Sequence, residues 1–179
     1  TYDALNRLTI TSPAGTITNT FDAANQLIAL TDLTGQVTSY TYDANGRQTA
    51  IVYPNGVIST WTYDDADRVT GITYEKAGTL ETIAYTLDAL GNRINMTDSN
   101  GTTAYSYDDL NRLTNVVYPT GIPGTVSYSY DPMGNRQTKI EDGITTSYTY
   151  DASDRLLTTT TNGVTTNYTW DENGNLLTK

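Results

Sequence analysis

The sequence predicts an all-β chain: tandem β-hairpins of about 21 residues, laid side by side in one continuous antiparallel sheet that twists strongly or spirals. Three observations predict this. A Tyr-Asp pair or a close variant recurs nine times, at Tyr2-Asp3, Phe21-Asp22, Tyr42-Asp43, Tyr63-Asp64, Leu87-Asp88, Tyr107-Asp108, Tyr130-Asp131, Tyr150-Asp151 and Trp170-Asp171. The steps are 19, 21, 21, 24, 20, 23, 20 and 20 residues. A glycine follows 12 to 14 residues after each of the first eight aspartates: Gly15, Gly35, Gly56, Gly78, Gly101, Gly121, Gly143 and Gly163. Thr (36 residues) and Tyr (15) are strand formers and dominate, while Phe occurs once.

Each period therefore carries two turn signals, one after the Tyr-Asp pair and one at the glycine. Two turns in about 21 residues leave two strands of roughly six or seven residues, so one repeat is one hairpin. The glycine turns include Pro54-Asn55-Gly56, Ser99-Asn100-Gly101, Glu141-Asp142-Gly143 and Asn162-Gly163. In the other turn the Asp side chain is placed to accept from backbone N–H groups two or three residues on. Asn6, Asn25, Asp67, Asn111 and Asp154, with Gly91, Gly134 and Gly174 nearby, are types that tolerate φ > 0.

All seven arginines occupy one place in the repeat, after this turn: Arg7, Arg47, Arg68, Arg93, Arg112, Arg136 and Arg155. Gln26 and Asn175 fill the place in the other two copies. The arginines are expected to pair with the turn aspartates of their own or the next repeat, giving a charge ladder; a cationic track for a ligand is the competing reading. Before each Asp, residues two apart share a face. That puts Tyr40/Tyr42, Trp61/Tyr63, Tyr105/Tyr107, Tyr128/Tyr130, Tyr148/Tyr150 and Tyr168/Trp170 in aromatic rows, with the hydroxyls expected to stay wet. Leu8, Leu27, Val69, Ile94, Leu113, Leu156 and Leu176 start the following strand, where they are placed to pack beside the rings.

The formal net charge of −10 opposes binding to nucleic acid or an anionic membrane surface. No apolar run reaches the roughly 18 residues of a membrane span. Cysteine and histidine are both absent. Disulfides, thiolate metal sites and His-based catalytic triads are thereby excluded. Acidic pairs such as Asp108-Asp109 lie on turns and do not face each other across a sugar cleft. Asp98-Ser99-Asn100-Gly101 and Asp171-Glu172-Asn173-Gly174 resemble the start of a calcium loop but lack its closing Glu. No catalytic, cofactor-binding or metal residue is assigned.

Tyr-Asp-x-x-x-Arg-Leu at this spacing, with glycine in the intervening turn, resembles the RHS or YD-repeat family. Tyr42 to Arg47, Tyr107 to Leu113 and Tyr130 to Arg136 carry the resemblance most closely. It implies a segment of a hollow β-shell in a large, exported or surface protein, mostly bacterial. Relatives include wall-associated proteins, toxin-complex shells and teneurins. In toxin members the shell encloses a variable C-terminal toxin. Asp131-Pro132-Met133-Gly134 matches the D-P-x-G letters of the self-cleaving segment in such members, but it stands in repeat phase and reads as an ordinary turn.

Residues 1–179 are thus expected to form a single array, about eight repeats and part of a ninth, from a longer chain. The expected function is structural and non-enzymatic: shell wall that encloses or presents another polypeptide such as a toxin domain. The expected partners are the remaining repeats and the C-terminal domain of the parent chain, at an extracellular or cell-surface location. Two alternatives stand beside this. One is a carbohydrate-binding or adhesive module recognising glycans or cell-surface partners through its aromatic rows. The other is an extracellular filament that associates end to end through unpaired strand edges.

Overall fold

A computed structural model of the chain describes residues 10–13, 15–121 and 124–179. The first repeat's Tyr2, Asp3, Asn6, Arg7 and Leu8 lie outside the described residues. Two compact units are present, Thr1–Thr86 with Thr97–Ser99, and Leu87–Met96 with Asn100–Lys179.

Among the described residues all regular structure is strand. In order these are β1 (Ile10–Ser12), β2 (Gly15–Phe21), β3 (Leu27–Thr31), β4 (Val37–Tyr42), β5 (Gln48–Val52), β6 (Ile58–Tyr63), β7 (Val69–Glu75), β8 (Thr79–Leu87) and β9 (Arg93–Asp98). They continue with β10 (Gly101–Tyr107), β11 (Leu113–Val117), β12 (Thr125–Tyr130), β13 (Arg136–Glu141), β14 (Ile144–Tyr150), β15 (Leu156–Thr161) and β16 (Val164–Asn167). Strands β1 to β16 form one sheet in strict sequence order, and β17 (Thr169–Trp170) pairs with β18 (Leu176–Thr178). The hairpin strands pair antiparallel, as the repeat requires.

The sheet has little core. Among the described residues the buried apolar side chains are Val116 and Val126, which face each other across β11 and β12. Ser59 and Thr103 are the buried polar ones. A strand such as β14 alternates as expected: Thr146, Tyr148 and Tyr150 are half-buried, and Thr145, Ser147 and Thr149 are exposed. On the wetter face hydroxyls pair across strands, Thr149 with Thr158 at 2.7 Å and Ser129 with Thr138 at 2.6 Å. Such cross-strand hydroxyl pairs supply part of the stabilisation that a buried layer supplies elsewhere.

The glycine turns are of more than one kind. Gly35 and Gly56 are the fourth residues of five-residue turns, Asp32 to Gln36 and Tyr53 to Val57. Asp142-Gly143 and Asn162-Gly163 are two-residue turns with φ near +50° and then +80° or +78°. Positive φ at both positions matches the right-handed strand twist and favours Asn/Asp followed by Gly.

Candidate functional site

The repeated chemistry gathers at the Tyr-Asp turns. In all eight described copies the Asp N–H donates to the carbonyl of the residue four on, and the Asp carbonyl accepts the N–H three on. The third residue after Asp has positive φ throughout: Asn25, Gly46, Asp67, Gly91, Asn111, Gly134, Asp154 and Gly174. This is a three-residue hairpin loop closed by a left-handed residue. Asp131-Pro132-Met133-Gly134 forms the same turn as the rest.

The aspartate side chain works differently from the sequence expectation. Asp43 Oδ1 accepts the N–H groups of Asn45 and Arg47, two and four residues on, at 2.9 and 3.0 Å. The N–H three residues on is already engaged by the backbone carbonyl of Asp43, so the carboxylate reaches past it. Asp64, Asp88, Asp108, Asp151 and Asp171 repeat both side-chain bonds. Asp22 and Asp131 make the bond four residues on, to Gln26 and Asn135.

The second carboxylate oxygen takes the side chain four residues on. Arg47, Arg68, Arg112 and Arg155 donate through Nε at 2.6–2.7 Å. The same guanidinium then crosses to the next repeat. Nη1 of Arg47, Arg112 and Arg155 meets the carbonyl oxygen of Asp64, Asp131 and Asp171 at 3.2, 2.9 and 3.1 Å. Arg47 and Arg112 also stack over Tyr63 and Tyr130, at 4.8 and 4.9 Å from the ring centroids. The next repeat's carbonyl, rather than its carboxylate, is the usual far partner; Arg47 also reaches Asp67 Oδ1 at 2.7 Å.

Arg93 and Arg136 do not share this place. Their repeats put Asn92 and Asn135 four residues after Asp, and the arginine follows one residue later, on the strand. A one-residue shift changes the face presented. Asn92 and Asn135 take over the carboxylate contact, at 2.9 and 3.2 Å. Arg136 instead stacks on Tyr148, 4.2 Å from the ring centroid.

The tyrosine hydroxyls are not left to water. Tyr42, Tyr63, Tyr107, Tyr130 and Tyr150 donate to the carbonyls of Leu27, Gln48, Arg93, Leu113 and Arg136 at 2.6–3.0 Å. Each acceptor is the residue five after the preceding repeat's Asp. Trp170 does the same through its indole N–H, to Leu156 at 2.8 Å. The cause lies in the register. A shift or bulge precedes each aromatic, as at Thr62/Tyr63 and Thr149/Tyr150. Between repeats the backbone pairing stops short of this edge: β5 and β6 pair from Val52↔Ile58 only to Ala50↔Thr60. The hydroxyl closes the remaining gap. The signal was in the composition, since 15 Tyr against one Phe marks a place for a ring that also donates.

Protonation follows these contacts. Asp64, Asp108 and Asp151 are held below the ordinary 3.8, first by the backbone N–H of Arg68, Arg112 and Arg155; burial acts against this, and the arginine side chain adds to it. For Asp88 and Asp171 the leading cause is the Asn92 or Asn175 amide. For Asp43 and Asp131 burial is the largest influence and pushes upward, but the combined hydrogen bonds prevail and the shift is downward. Burial pushes the phenols of Tyr107, Tyr130 and Tyr150 up. Among the described residues no group of three or more carboxylates is placed to hold a metal ion. No helix there is long and apolar enough to cross a membrane.

Leu27, Val69, Leu113, Leu156 and Leu176 sit directly opposite the aromatic of their own repeat, as in Tyr63↔Val69 and Tyr150↔Leu156. Gln48 and Arg136 hold that place opposite Tyr42 and Tyr130. Trp61 and Trp170 are half-buried. The turn glycines Gly15, Gly35, Gly56, Gly78, Gly101, Gly121, Gly143 and Gly163 all have positive φ.

Solved structures share this fold. The crystal structure of TcdB2-TccC3-TEV matches with a TM-score of 0.73 and 22% identity, over 100% of this chain and 12% of that one. TcdB2-TccC3-Cdc42 matches with a TM-score of 0.60 and 19% identity, over 92% of this chain and 12% of that one. The Photorhabdus luminescens Tc holotoxin pore, carrying a TccC3 mutation, gives 0.59 and 20%, over 94% and 12%. The chain therefore spans about one-eighth of the length of these structures' chains. No curated protein matches it. The teneurin YD-shell family model matches residues 1–143, which contain the Asp-Arg rungs and tyrosine clips from Tyr42 to Arg136. By that match, on the hairpin sheet that carries these rungs and clips, the chain belongs to the teneurin YD-shell family.

Proposed function

We propose that this segment is wall: part of an RHS/YD β-shell that encloses or presents another polypeptide, such as a toxin domain, and performs no chemistry itself. The observation that carries this reading is where the repeated polar groups are spent. The carboxylates of Asp43, Asp64, Asp108 and Asp151 hold their own turn and their own arginine. Arg47, Arg112 and Arg155 then join that turn to the next, as do the tyrosine hydroxyls. Groups committed in this way do structural work: they hold one hairpin against another. The remaining repeats of a longer parent chain are the nearest partners, and an extracellular setting suits the shell.

The mechanism is exclusion. A sheet with its backbone groups paired, and its repeat seams closed by side chains, separates contents from solvent and proteases. Cryo-EM of the intact parent molecule tests this. A hollow particle with polypeptide density inside and this segment in its wall is the expected result. A solid rod or filament with these repeats stacked from chain to chain would overturn it.

A further inference from the structure

Three of the described inter-repeat grooves, at Gln26, Asn92 and Asn135, lack the guanidinium that fills their sisters. In the Arg47 groove the cation lies between Asp43 Oδ2, Asp67 Oδ1 and the Asp64 carbonyl, with the Tyr63 ring beneath it. The Arg112 groove repeats the first carboxylate, the carbonyl and the ring, with Asp108, Asp131 and Tyr130. Where Asn135 stands instead, the equivalent surroundings are Asp131, Asp154, the Asp151 carbonyl and Tyr150. These residues line an open cavity of about 560 Å³. A second cavity, of about 340 Å³, lies at Asn92, between the Asp88 and Asp108 turns.

The Asn135 amide bridges the two carboxylates, Asp131 Oδ2 at 3.2 Å and Asp154 Oδ1 at 2.7 Å. It is neutral and too short to cover the Tyr150 ring. Arg136 does not line the cavity; its guanidinium is stacked on Tyr148, which does. Beside the Asn135 amide, the cavity is lined by the two bridged carboxylates, Asp151 and the Tyr150 ring. In the Arg47 repeat the same set already holds a planar cation. A planar fork of donors above a ring is what guanidinium supplies and ammonium does not.

We propose that the groove between the Asp131 and Asp151 turns is a binding site for an arginine side chain of another polypeptide segment, received beside the Asn135 amide against the kinds of group that hold Arg47 within its own repeat. The site does not depend on what the shell encloses.

The test is an NMR titration of the 179-residue chain with N-acetyl-arginine methylamide, and in parallel with the lysine analogue. The expected result is saturable shifts at the backbone amides of residues 131, 133–135 and 151–154, with the arginine analogue at least about tenfold stronger than the lysine one. The Asn135→Arg variant, which supplies its own guanidinium, is expected to lose the response. Asn135→Ala, which frees both carboxylates, is expected to keep it. Absence of saturable shifts, an equal response to lysine, a response that persists in Asn135→Arg, or its loss in Asn135→Ala would each overturn the proposal.

Discussion

At the scale of single residues, the hydroxyl of the Tyr-Asp tyrosine has a separable role from its ring. Tyr63→Phe keeps the ring under Arg47 and removes the bond to the Gln48 carbonyl. Its expected cost is about 0.5–1.5 kcal/mol, read as a lower urea midpoint with an unchanged slope. Phe21 occupies this place naturally, so the variant is expected to fold. The aspartates give an acid limb. Folded pKa values depressed below 3.8 mean that stability is present above about pH 4 and lost as pH falls through the folded values. Urea midpoints are therefore expected to hold from pH 7 down to about pH 4 and then drop. The raised phenols work in the opposite sense: protonated in the folded chain, they favour folding less as pH climbs beyond about 10. An ultraviolet phenolate titration is expected to show a late-titrating class that merges with the rest on unfolding.

At the scale of the element, each hairpin couples a strained turn to a register shift. Gly143→Val places a β-branched residue at φ +80°. The expected cost is about 1–2 kcal/mol, with faster amide exchange at the ends of β13 and β14 and little change elsewhere. Hairpins were legible in the sequence because period, glycine and Tyr-Asp pair all gave the same phase. Two features were not. The Arg93 and Arg136 repeats look in phase with the rest. Only the count from Asp separates an arginine four residues on from one five residues on, and in the Arg136 repeat that single residue takes the guanidinium from the turn carboxylate to the Tyr148 ring. The tyrosine clip also escapes a strand-by-strand reading, because its acceptor belongs to the preceding repeat and is a backbone atom without a sequence signature. Its trace was the preference for Tyr over Phe, which strand propensity alone does not explain.

At the scale of the whole chain, the two compact units hold similar hairpins by the same near-neighbour contacts, and stability is expected to be a sum over repeats and seams. Asp108→Ala removes the turn acceptor of one repeat. Hydrogen exchange is expected to speed up in β10 to β12 while β3 to β6 keep their protection; uniform loss across the chain would show instead that the array melts as one cooperative block. The way successive hairpins meet has a mechanical consequence. Within each unit the joins along the Tyr-Asp edge alternate: covalent turn, then a side-chain stitch, by phenol and guanidinium together at Tyr63 and Tyr130 and by phenol without guanidinium at Tyr42, Tyr107 and Tyr150, then covalent turn again. A force that peels neighbouring hairpins apart at that edge falls on one or two stitches at a time, with the opposite glycine turn acting as the hinge. Such a sheet is expected to yield seam by seam under a peeling load. Loaded along its strands, it must shear whole backbone ladders at once. Its strength would then depend on the direction of pull, weak to unzipping and stiff to stretching.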